Sequence, residues 1–251
     1  MNNLKKRLYD NDVVFGTWCS LSSANAVNAI SLSGLDFCVL DIEHGSASFE
    51  TLENMVRATE VTNCSPIIRS WDAYQPNLLR CLETGVKSIL VPNINSTKQV
   101  KEIVKYCKYY PQGSRGLSPY TRCHDYSDNN LETKLKKAND DMLIGILVEG
   151  KEGLNELENI CSVDGLDLVY LGLFDICQSL GLPGQLEHPK VLDKLSEYRE
   201  IISQNGKIPG CMSATIDYAI LLKKIGYNFI AYMNDAAALK QFFLNFKTQI
   251  K

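Results

Sequence analysis

Short apolar segments alternate with longer amphipathic ones along the whole chain, and this alternation constrains the fold more than any other feature of the sequence. Most of the apolar segments are continuously hydrophobic, which is typical of parallel strands that are buried on both faces. The segments between them have helical periodicity, and several begin with Ser, Thr or Asp and end at Gly, as helix capping requires. Eight strands are predicted, over residues 13–19, 37–43, 65–70, 88–92, 142–149, 166–172, 208–214 and 227–233.

Eight strand–helix pairs in 251 residues match the count and length of a (β/α)₈ TIM barrel. The sequence therefore predicts an α/β protein with a single barrel domain over residues 1–251. A doubly wound open sheet is the alternative, but no GxGxxG motif follows the first predicted strand. The segment 111–130 is rich in turn-forming residues and interrupts the alternation, so we expect it to be a functional loop at the active site.

The composition argues against several classes of protein. The net charge is −3 and no long basic run occurs, which gives no support for nucleic-acid binding. The longest apolar stretch, near residues 142–148, is far too short to span a membrane, and the amino terminus does not resemble a secretory signal. The nine cysteines contain no CxxC pair, so free buried thiols are expected. The sequence thus indicates a soluble, cytoplasmic protein with no nucleic-acid or membrane partner.

Polar side chains follow several of the predicted strands at their carboxyl ends, where a TIM barrel places its active site. They are Asp41, Glu43 and His44 after the second strand, Arg69 after the third, Glu149 after the fifth and Asp175 after the sixth. Two carboxylates without a Cys or a second His beside them are hard oxygen donors, which suit Mg²⁺ or Mn²⁺. One His and one Arg add a base near neutral pH and a fixed cation for a developing oxyanion. This set predicts metal-assisted proton abstraction next to a carbonyl group, or its reverse.

Each member of this set also has a purely structural interpretation, which the sequence leaves open. Asp175 precedes a helical segment, so it could cap that helix. Arg69 could form a structural ion pair with Asp41 or Glu43. A single His is more often a packed or surface residue than a base. The interpretation of His44 as a base therefore depends on the other charged residues of this set.

Motifs with the order and spacing of one family extend over nearly the whole chain. They are LDIEHG (40–45), IIRS (67–70), LETG with ILVP (82–92), PQGSRG (111–116), VEG (148–150) and LGLFDICQSLG (171–181). Through these motifs the chain resembles the metal-dependent (class II) pyruvate aldolases of the 4-hydroxy-2-oxoheptanedioate aldolase (HpcH/HpaI) family. The resemblance implies a homo-oligomeric barrel, commonly a hexamer. It also implies a divalent ion (Mg²⁺, Mn²⁺ or Co²⁺) as cofactor, with a 2-oxo acid and an aldehyde as substrates.

The resemblance also implies roles for individual residues. His44 matches the catalytic base, and Arg69 matches the Arg that stabilises the enolate. Glu83 falls at the acidic position that raises the basicity of the His. The other matches are the metal-ligating carboxylates Glu149 and Asp175, a substrate-binding backbone N–H at Phe174, and Asp41 as a strand-end Asp near the site. By these roles, the methyl group of pyruvate loses a proton and the enolate adds to the aldehyde; cleavage is the reverse.

The lining of the implied site departs from the family at several positions. Leu147 occupies a position where the family has a Gln that binds substrate, and a Leu side chain forms no hydrogen bond. Around the implied metal ligand, Leu173 replaces a Pro and Ile176-Cys177 replaces Leu-Ser, while Met233 replaces a Gly of the last strand. Loss of a hydrogen bond to substrate costs ~1 kcal/mol. The change at Leu147 therefore either weakens the binding of pyruvate or marks a different substrate.

Three functions are therefore open. The first is an aldolase that cleaves or forms a 4-hydroxy-2-oxo acid. The second is a related carbon–carbon lyase or decarboxylase with another acid donor, and Leu147 is the main argument for it. The third is a non-catalytic barrel that binds a small acid. The presence of His44, Arg69, Glu149 and Asp175 together argues against it.

Two further segments carry expectations about assembly and substrate. An apolar stripe at helical spacing near the carboxyl terminus is expected at a subunit interface, with packing on its own barrel as the alternative. It consists of Leu239, Phe242, Phe243 and Phe246. In the segment 111–130, Arg115 and Arg122 are candidates for binding an acidic group of the substrate, or for ordinary loop charges.

Overall fold

The chain forms a closed barrel of eight parallel strands, seen in a computed structural model that describes residues 3–250. Each strand pairs with the next in sequence, and the last pairs with the first, which confirms the predicted (β/α)₈ barrel. The strands are β1 (Val14–Cys19), β2 (Phe37–Asp41), β3 (Ser65–Arg69), β4 (Ser88–Val91), β5 (Leu143–Val148), β6 (Leu168–Leu171), β7 (Ile208–Ser213) and β8 (Phe229–Asn234).

Twelve α-helices surround the barrel within the described residues. They are α1 (Asn3–Tyr9), α2 (Ala24–Ser31), α3 (Phe49–Thr59), α4 (Gln75–Glu83), α5 (Thr97–Cys107), α6 (Leu131–Asp141), α7 (Lys151–Asn155), α8 (Leu157–Cys161), α9 (Leu173–Ser179), α10 (Pro189–Gln204), α11 (Ile216–Lys224) and α12 (Asp235–Gln249). Helices α1, α6 and α9 are additional to the eight predicted strand–helix pairs. The segment 152–165, between the fifth and sixth predicted strands, contains two short helices, α7 and α8, which meet at Glu156.

Alternate residues of all eight strands point into the barrel and form one packed cluster, as the period of two in a strand requires. Phe37 and Phe229 stack at its centre, with ring centroids 3.9 Å apart. Helix α1 closes the amino-terminal end of the barrel, because its buried Leu4 and Leu8 belong to the same cluster. The opposite faces of the strands pack against the helices in a second, larger cluster.

The segment 111–130 lies between α5 and α6, on the amino-terminal side of the barrel, and contains a 3₁₀ turn at Arg122–His124. Arg122 donates to the carbonyl oxygen of Thr84 at 2.5 Å and pairs with Glu60 at 2.5 Å, which holds the segment against the end of α4. In its own chain the segment therefore lies away from the carboxyl ends of the strands. The expectation that it forms an active-site loop stays a prediction.

Helix α12 projects from the barrel. Within the described structure, Asp235 is the only residue of α12 that is buried. Its apolar side chains are 49–68% exposed: Leu239, Phe242, Phe243, Leu244 and Phe246. The apolar stripe thus does not pack on its own barrel, and its burial against a neighbouring subunit remains a prediction.

The structure tests two expectations from the composition, that the thiols are free and buried and that no segment spans a membrane. All nine cysteines are free thiols and eight of them are buried, as the scattered spacing predicts. In the part of the chain that the structure describes, no helix is both long enough and apolar enough to cross a membrane.

Candidate active site

A cavity of about 370 Å³ opens at the carboxyl-terminal ends of the strands. The structure brings together seven residues that the sequence singled out: Asp41, His44, Arg69, Leu147, Glu149, Phe174 and Asp175 all line this cavity. They come from β2, β3 and β5 and from the segments that follow β2, β5 and β6. Parallel strands bring distant parts of the sequence to one edge, so a polar residue at each strand end is sufficient to assemble the site.

Arg69 lies between two carboxylates and an aromatic ring. Its Nε donates to Asp41 Oδ1 at 2.9 Å and its Nη2 to Asp41 Oδ2 at 2.5 Å, since the two residues are register partners on β3 and β2. Its Nη1 is 3.0 Å from Glu43 Oε2, and the guanidinium carbon is 4.5 Å from the centre of the Trp18 ring. The predicted structural ion pair therefore exists. It uses three of the five N–H groups of the guanidinium, which leaves two for a substrate oxygen.

Asp41 also folds the loop that carries His44. Its Oδ1 accepts hydrogen bonds from the backbone N–H groups of Glu43 at 3.0 Å and His44 at 3.2 Å. A Cβ atom at Gly45 would lie 2.1 Å from the carbonyl oxygen of Asp41, so the turn requires Gly at this position. The turn presents His44 at the rim of the cavity with an exposed side chain, where a substrate can reach the imidazole.

Glu149 and Asp175 flank Gly172 on neighbouring strand ends. A Cβ atom at Gly172 would lie 2.5 Å from Glu149 Cβ and 3.3 Å from Asp175 Oδ2, so the chain approaches both carboxylates closely here. Burial, and then the negative charge of Asp175, raise the pKa of Glu149 above its usual value. Two carboxylates that repel each other in a half-buried cavity favour a bound cation.

Asp175 does not cap the helix in which it lies. Helix α9 begins after Gly172 without a side-chain cap, and no donor among the described residues contacts the exposed Asp175 carboxylate. The carboxylates of Glu149 and Asp175 fit a divalent ion such as Mg²⁺, which takes one or two protein carboxylates and completes its shell with water and substrate. No group of three or more His, Cys, Asp or Glu suited to a metal occurs in residues 3–250.

Asn93 connects the acidic residues of the site, and the sequence analysis did not identify it. It follows β4 in a left-handed conformation, with φ of 59°. Its backbone N–H donates to Glu149 Oε1 at 3.2 Å, and its Nδ2 donates to Glu43 Oε1 at 3.1 Å. The signal available in the sequence was a polar residue directly after the fourth strand, of a type that tolerates positive φ.

The deepest part of the cavity is lined by apolar and aromatic side chains. Leu147 and Tyr170 are almost fully buried there, and Trp18 Nε1 donates to the Tyr170 hydroxyl oxygen at 3.1 Å. Met212 and Met233 line the same region. Met233 has φ of 54°, a conformation that favours Gly, which accounts physically for the Gly that the resembled family carries at this position.

Three other residues singled out in the sequence lie elsewhere in the described chain. Glu83 ends α4, near the amino-terminal ends of the strands, so Glu83 and His44 lie at opposite ends of the barrel. Arg115 is buried, and its Nη2 lies 3.3 Å from Glu83 Oε1. Arg122 pairs with Glu60 as described above. None of the three lines the cavity of its own chain.

The chain is similar to known proteins in both sequence and fold. Residues 14–235 match the family model described as HpcH/HpaI aldolase/citrate lyase. The chain is 28% identical over 231 residues to 2-keto-3-deoxy-L-rhamnonate aldolase of Escherichia coli (strain K12), which covers 92% of this chain and 86% of the relative. It is 28% identical over 239 residues to hydroxypyruvate/pyruvate aldolase of Roseobacter denitrificans, covering 95% and 93% of the two chains. The solved structure of citrate synthase SbnG is similar with a TM-score of 0.88 and 27% identity, over 99% of this chain and 97% of that one.

Proposed function

Because the chain belongs to the HpcH/HpaI aldolase/citrate lyase family, we propose that it is a divalent-metal-dependent aldolase acting through a pyruvate enolate. The reaction is cleavage or formation of a 4-hydroxy-2-oxo acid, with an aldehyde as the second substrate. Membership confirms the family predicted from the motifs and identifies the chain as a carbon–carbon lyase. The metal, the substrates and the residue roles are the proposal.

One observation carries the proposal: a carboxylate pair, an Arg with two unused N–H groups and an accessible His share one cavity. Glu149 and Asp175 would hold Mg²⁺, Mn²⁺ or Co²⁺. When bound, the ion would act as a Lewis acid that polarises the carbonyl group of the 2-oxo acid and so acidifies the adjacent methyl group. The raised pKa of Glu149 reflects burial and the like charge of Asp175, and a cation would relieve that repulsion.

The protein side chains perform the other tasks. Arg69 donates its free N–H groups to the oxygen on which negative charge develops. His44 takes the proton from the methyl group, because its imidazole is exposed at the rim of the cavity, where it can reach the substrate. The backbone N–H of Phe174, in the first turn of α9, has no acceptor within its helix and donates to the substrate carboxylate. Asp41 keeps Arg69 and the His44 loop in position.

The active form is a homo-oligomer in this proposal, and a hexamer is the form that the resemblance suggests. Glu83 can raise the basicity of His44 only from a second copy, since the two residues lie at opposite ends of one barrel. Arg115 and Arg122 would then approach the neighbour's cavity together with Glu83. The exposed stripe of α12 supplies an apolar surface for assembly. Deletion of residues 242–251 is expected to dissociate the oligomer, and an unchanged mass by light scattering would contradict this.

The cellular location is also part of the proposal. Nine free thiols persist in a reducing compartment and are prone to oxidation outside it. The composition shows no long basic run that would recruit nucleic acid or a membrane surface. We therefore place the enzyme in the cytoplasm, with small acids and aldehydes as its partners.

A second candidate function is a carbon–carbon lyase or decarboxylase with a different acid donor. Leu147 supports it, because this side chain cannot form the hydrogen bond that the family Gln forms with substrate. The similarity to a citrate synthase supports it as well, since that protein has 27% identity over nearly its whole length. The charged set at the cavity is common to both candidates.

Product formation separates the two candidates. Pyruvate is mixed with glyoxylate, glycolaldehyde or lactaldehyde and with Mg²⁺, Mn²⁺ or Co²⁺, and new 4-hydroxy-2-oxo acid is measured by proton NMR. We expect product that disappears with a chelator. Turnover of oxaloacetate or citrate with no product from pyruvate would favour the second candidate. No metal-dependent turnover of any of these acids would contradict both.

A further inference from the structure

The deepest part of the cavity contains a hydroxyl group that the proposed function leaves unused, that of Tyr170. Tyr170 on β6 is the register partner of Leu147 on β5. Both side chains point into the barrel, and they are only 2% and 3% exposed. The phenol therefore lies directly beside the one lining position at which an apolar side chain replaces a hydrogen-bonding one.

The hydrogen bonds of this hydroxyl are incomplete. Tyr170 accepts a bond from Trp18 Nε1 at 3.1 Å, but a phenol is a donor as well as an acceptor. No acceptor for its own O–H occurs among residues 3–250. Burial raises the pKa of Tyr170 well above its usual value, so the group keeps its proton and remains a donor. Because Tyr170 lines the cavity, its O–H is available to donate to an oxygen atom of a ligand.

The position of the hydroxyl is fixed relative to the charged part of the site. The Trp18 ring contacts Tyr170 edge to face, with ring centroids 5.5 Å apart, and the same indole lies under the guanidinium of Arg69. Trp18 thus contacts both Tyr170 and Arg69, and all three residues line the same cavity. An acid that accepts from Arg69 would present a second oxygen to Tyr170.

We propose that Tyr170 determines substrate specificity by donating a hydrogen bond from its hydroxyl group to an oxygen of the bound 2-oxo acid. This inference rests on the proposed function and refines its substrate class. Tyr170 supplies from β6 the donor that Leu147 cannot supply from β5. The ligand is a small planar acid with an oxygen about 2.7 Å from the phenol oxygen, and the apolar side chain of Leu147 faces the part of that ligand without a hydrogen-bonding group.

Oxalate, a planar dianion that resembles the enolate of a 2-oxo acid, is a suitable probe. Its affinity in the presence of Mn²⁺ is measured by calorimetry for the wild type, Tyr170→Phe, Leu147→Gln and the double variant. Tyr170→Phe is expected to weaken oxalate binding about tenfold to hundredfold, the effect of one hydrogen bond to a charged group. The affinity for Mn²⁺ alone should stay unchanged, because the Tyr170 hydroxyl, which is bonded to Trp18, forms no hydrogen bond with Glu149 or Asp175 in the described structure.

Two controls separate substrate binding from a structural effect, since Tyr170→Phe also removes the acceptor of Trp18 Nε1. Tyr227→Phe makes the same change at a fully buried Tyr whose hydroxyl donates to the Leu195 carbonyl oxygen, and it should leave oxalate affinity unchanged. Leu147→Gln in the Tyr170→Phe background restores a donor on the adjacent strand and should recover most of the lost affinity.

The outcomes distinguish the two levels of the proposal. Wild-type affinity in Tyr170→Phe, a similar loss in Tyr227→Phe, or no recovery in the double variant overturns the role of Tyr170 while the aldolase proposal stands. Absence of metal-dependent oxalate binding in the wild type contradicts the aldolase proposal itself, and the role of Tyr170 with it.

Discussion

The two ends of the barrel use charge in opposite ways. At the amino-terminal end, the buried Asp167 accepts hydrogen bonds from Lys5 Nζ at 3.2 Å, Tyr9 Oη at 2.6 Å and the Ile144 N–H at 2.8 Å. At the carboxyl-terminal end, the carboxylate of Asp175 has no donor among the described residues, and the imidazole of His44 is exposed. Charges that are fully paired stabilise the fold, whereas charges that are left incomplete are available to a ligand.

The largest expected effect comes from removing a charge at the carboxyl-terminal end. Glu149→Gln should lower metal-dependent activity roughly 10³-fold or more, because a metal contributes several kcal/mol to the transition state. The metal-free protein should become more stable, since the variant removes a half-buried charge close to Asp175. A turnover assay measures the loss of activity, and thermal unfolding without metal measures the gain in stability. In thermal unfolding with Mn²⁺, the metal should no longer raise the Tm. Glu158→Gln on the exposed face of α8 is the matched control and should leave activity and stability unchanged. Full activity in Glu149→Gln would contradict the view that the charges at the carboxyl-terminal end serve a ligand.

The corresponding change at the amino-terminal end should affect stability and leave chemistry intact. Asp167→Asn leaves Lys5 without its carboxylate in a part-buried site, so the free energy of unfolding should fall by about 3 kcal/mol. Urea denaturation measures this loss. The activity of the folded fraction should equal that of the wild type. A tenfold drop in its activity would show that the two ends are not independent.

Asn93 carries no charge, but its hydrogen bonds position acidic residues at the carboxyl-terminal end of the barrel. Asn93→Gly keeps the left-handed backbone and the N–H bond to Glu149 but loses the amide bond to Glu43. Asn93→Ala loses the same amide and also strains the backbone. Residues that orient metal ligands contribute roughly tenfold to hundredfold in affinity, so we expect a loss in that range for Ala and a smaller one for Gly. Mn²⁺ titration measures both; equal affinity in all three proteins would exclude a positioning role.

The smallest expected effect is at Met233, in the left-handed conformation at the end of β8. Met233→Gly relieves a backbone cost of about 1 kcal/mol and loses part of the side-chain contacts in the cavity. The free energy of unfolding should therefore rise by less than about 1 kcal/mol. Chemical denaturation gives this difference directly. A loss of more than 1 kcal/mol would mean that side-chain packing outweighs backbone strain.

The barrel and most of the site could be predicted from the sequence for one physical reason. The strands are continuous apolar runs, and Asp41, Arg69 and Glu149 each stand at the end of such a run, where parallel strands converge. His44 and Asp175 follow within a few residues, so they reach the same edge. Neither long-range packing nor side-chain detail was needed to bring these five together.

Other features depend on information that a linear pattern does not contain. The donor role of Tyr170 follows from its register with Leu147 and from the bond that Trp18 donates, and inside an apolar strand its hydroxyl gives no signal. Helix α6 is highly charged and has few apolar residues, so the hydrophobic pattern of the long segment before β5 does not predict a helix there. The location of Glu83 follows from helix direction: α4 runs back from β3, and its last residue lies at the opposite end of the barrel from the cavity.

Exchange of the pyruvate methyl protons in D₂O, followed by proton NMR, tests most directly whether the carboxyl-terminal cavity abstracts a proton next to a carbonyl group. It needs no aldehyde, so the identity of the second substrate does not matter. We predict exchange that requires Mg²⁺, Mn²⁺ or Co²⁺, falls about 10²- to 10⁴-fold in His44→Ala and persists in Asp167→Asn. No exchange with any of these metals, or full exchange in His44→Ala, would contradict the assignment of this chemistry to the cavity.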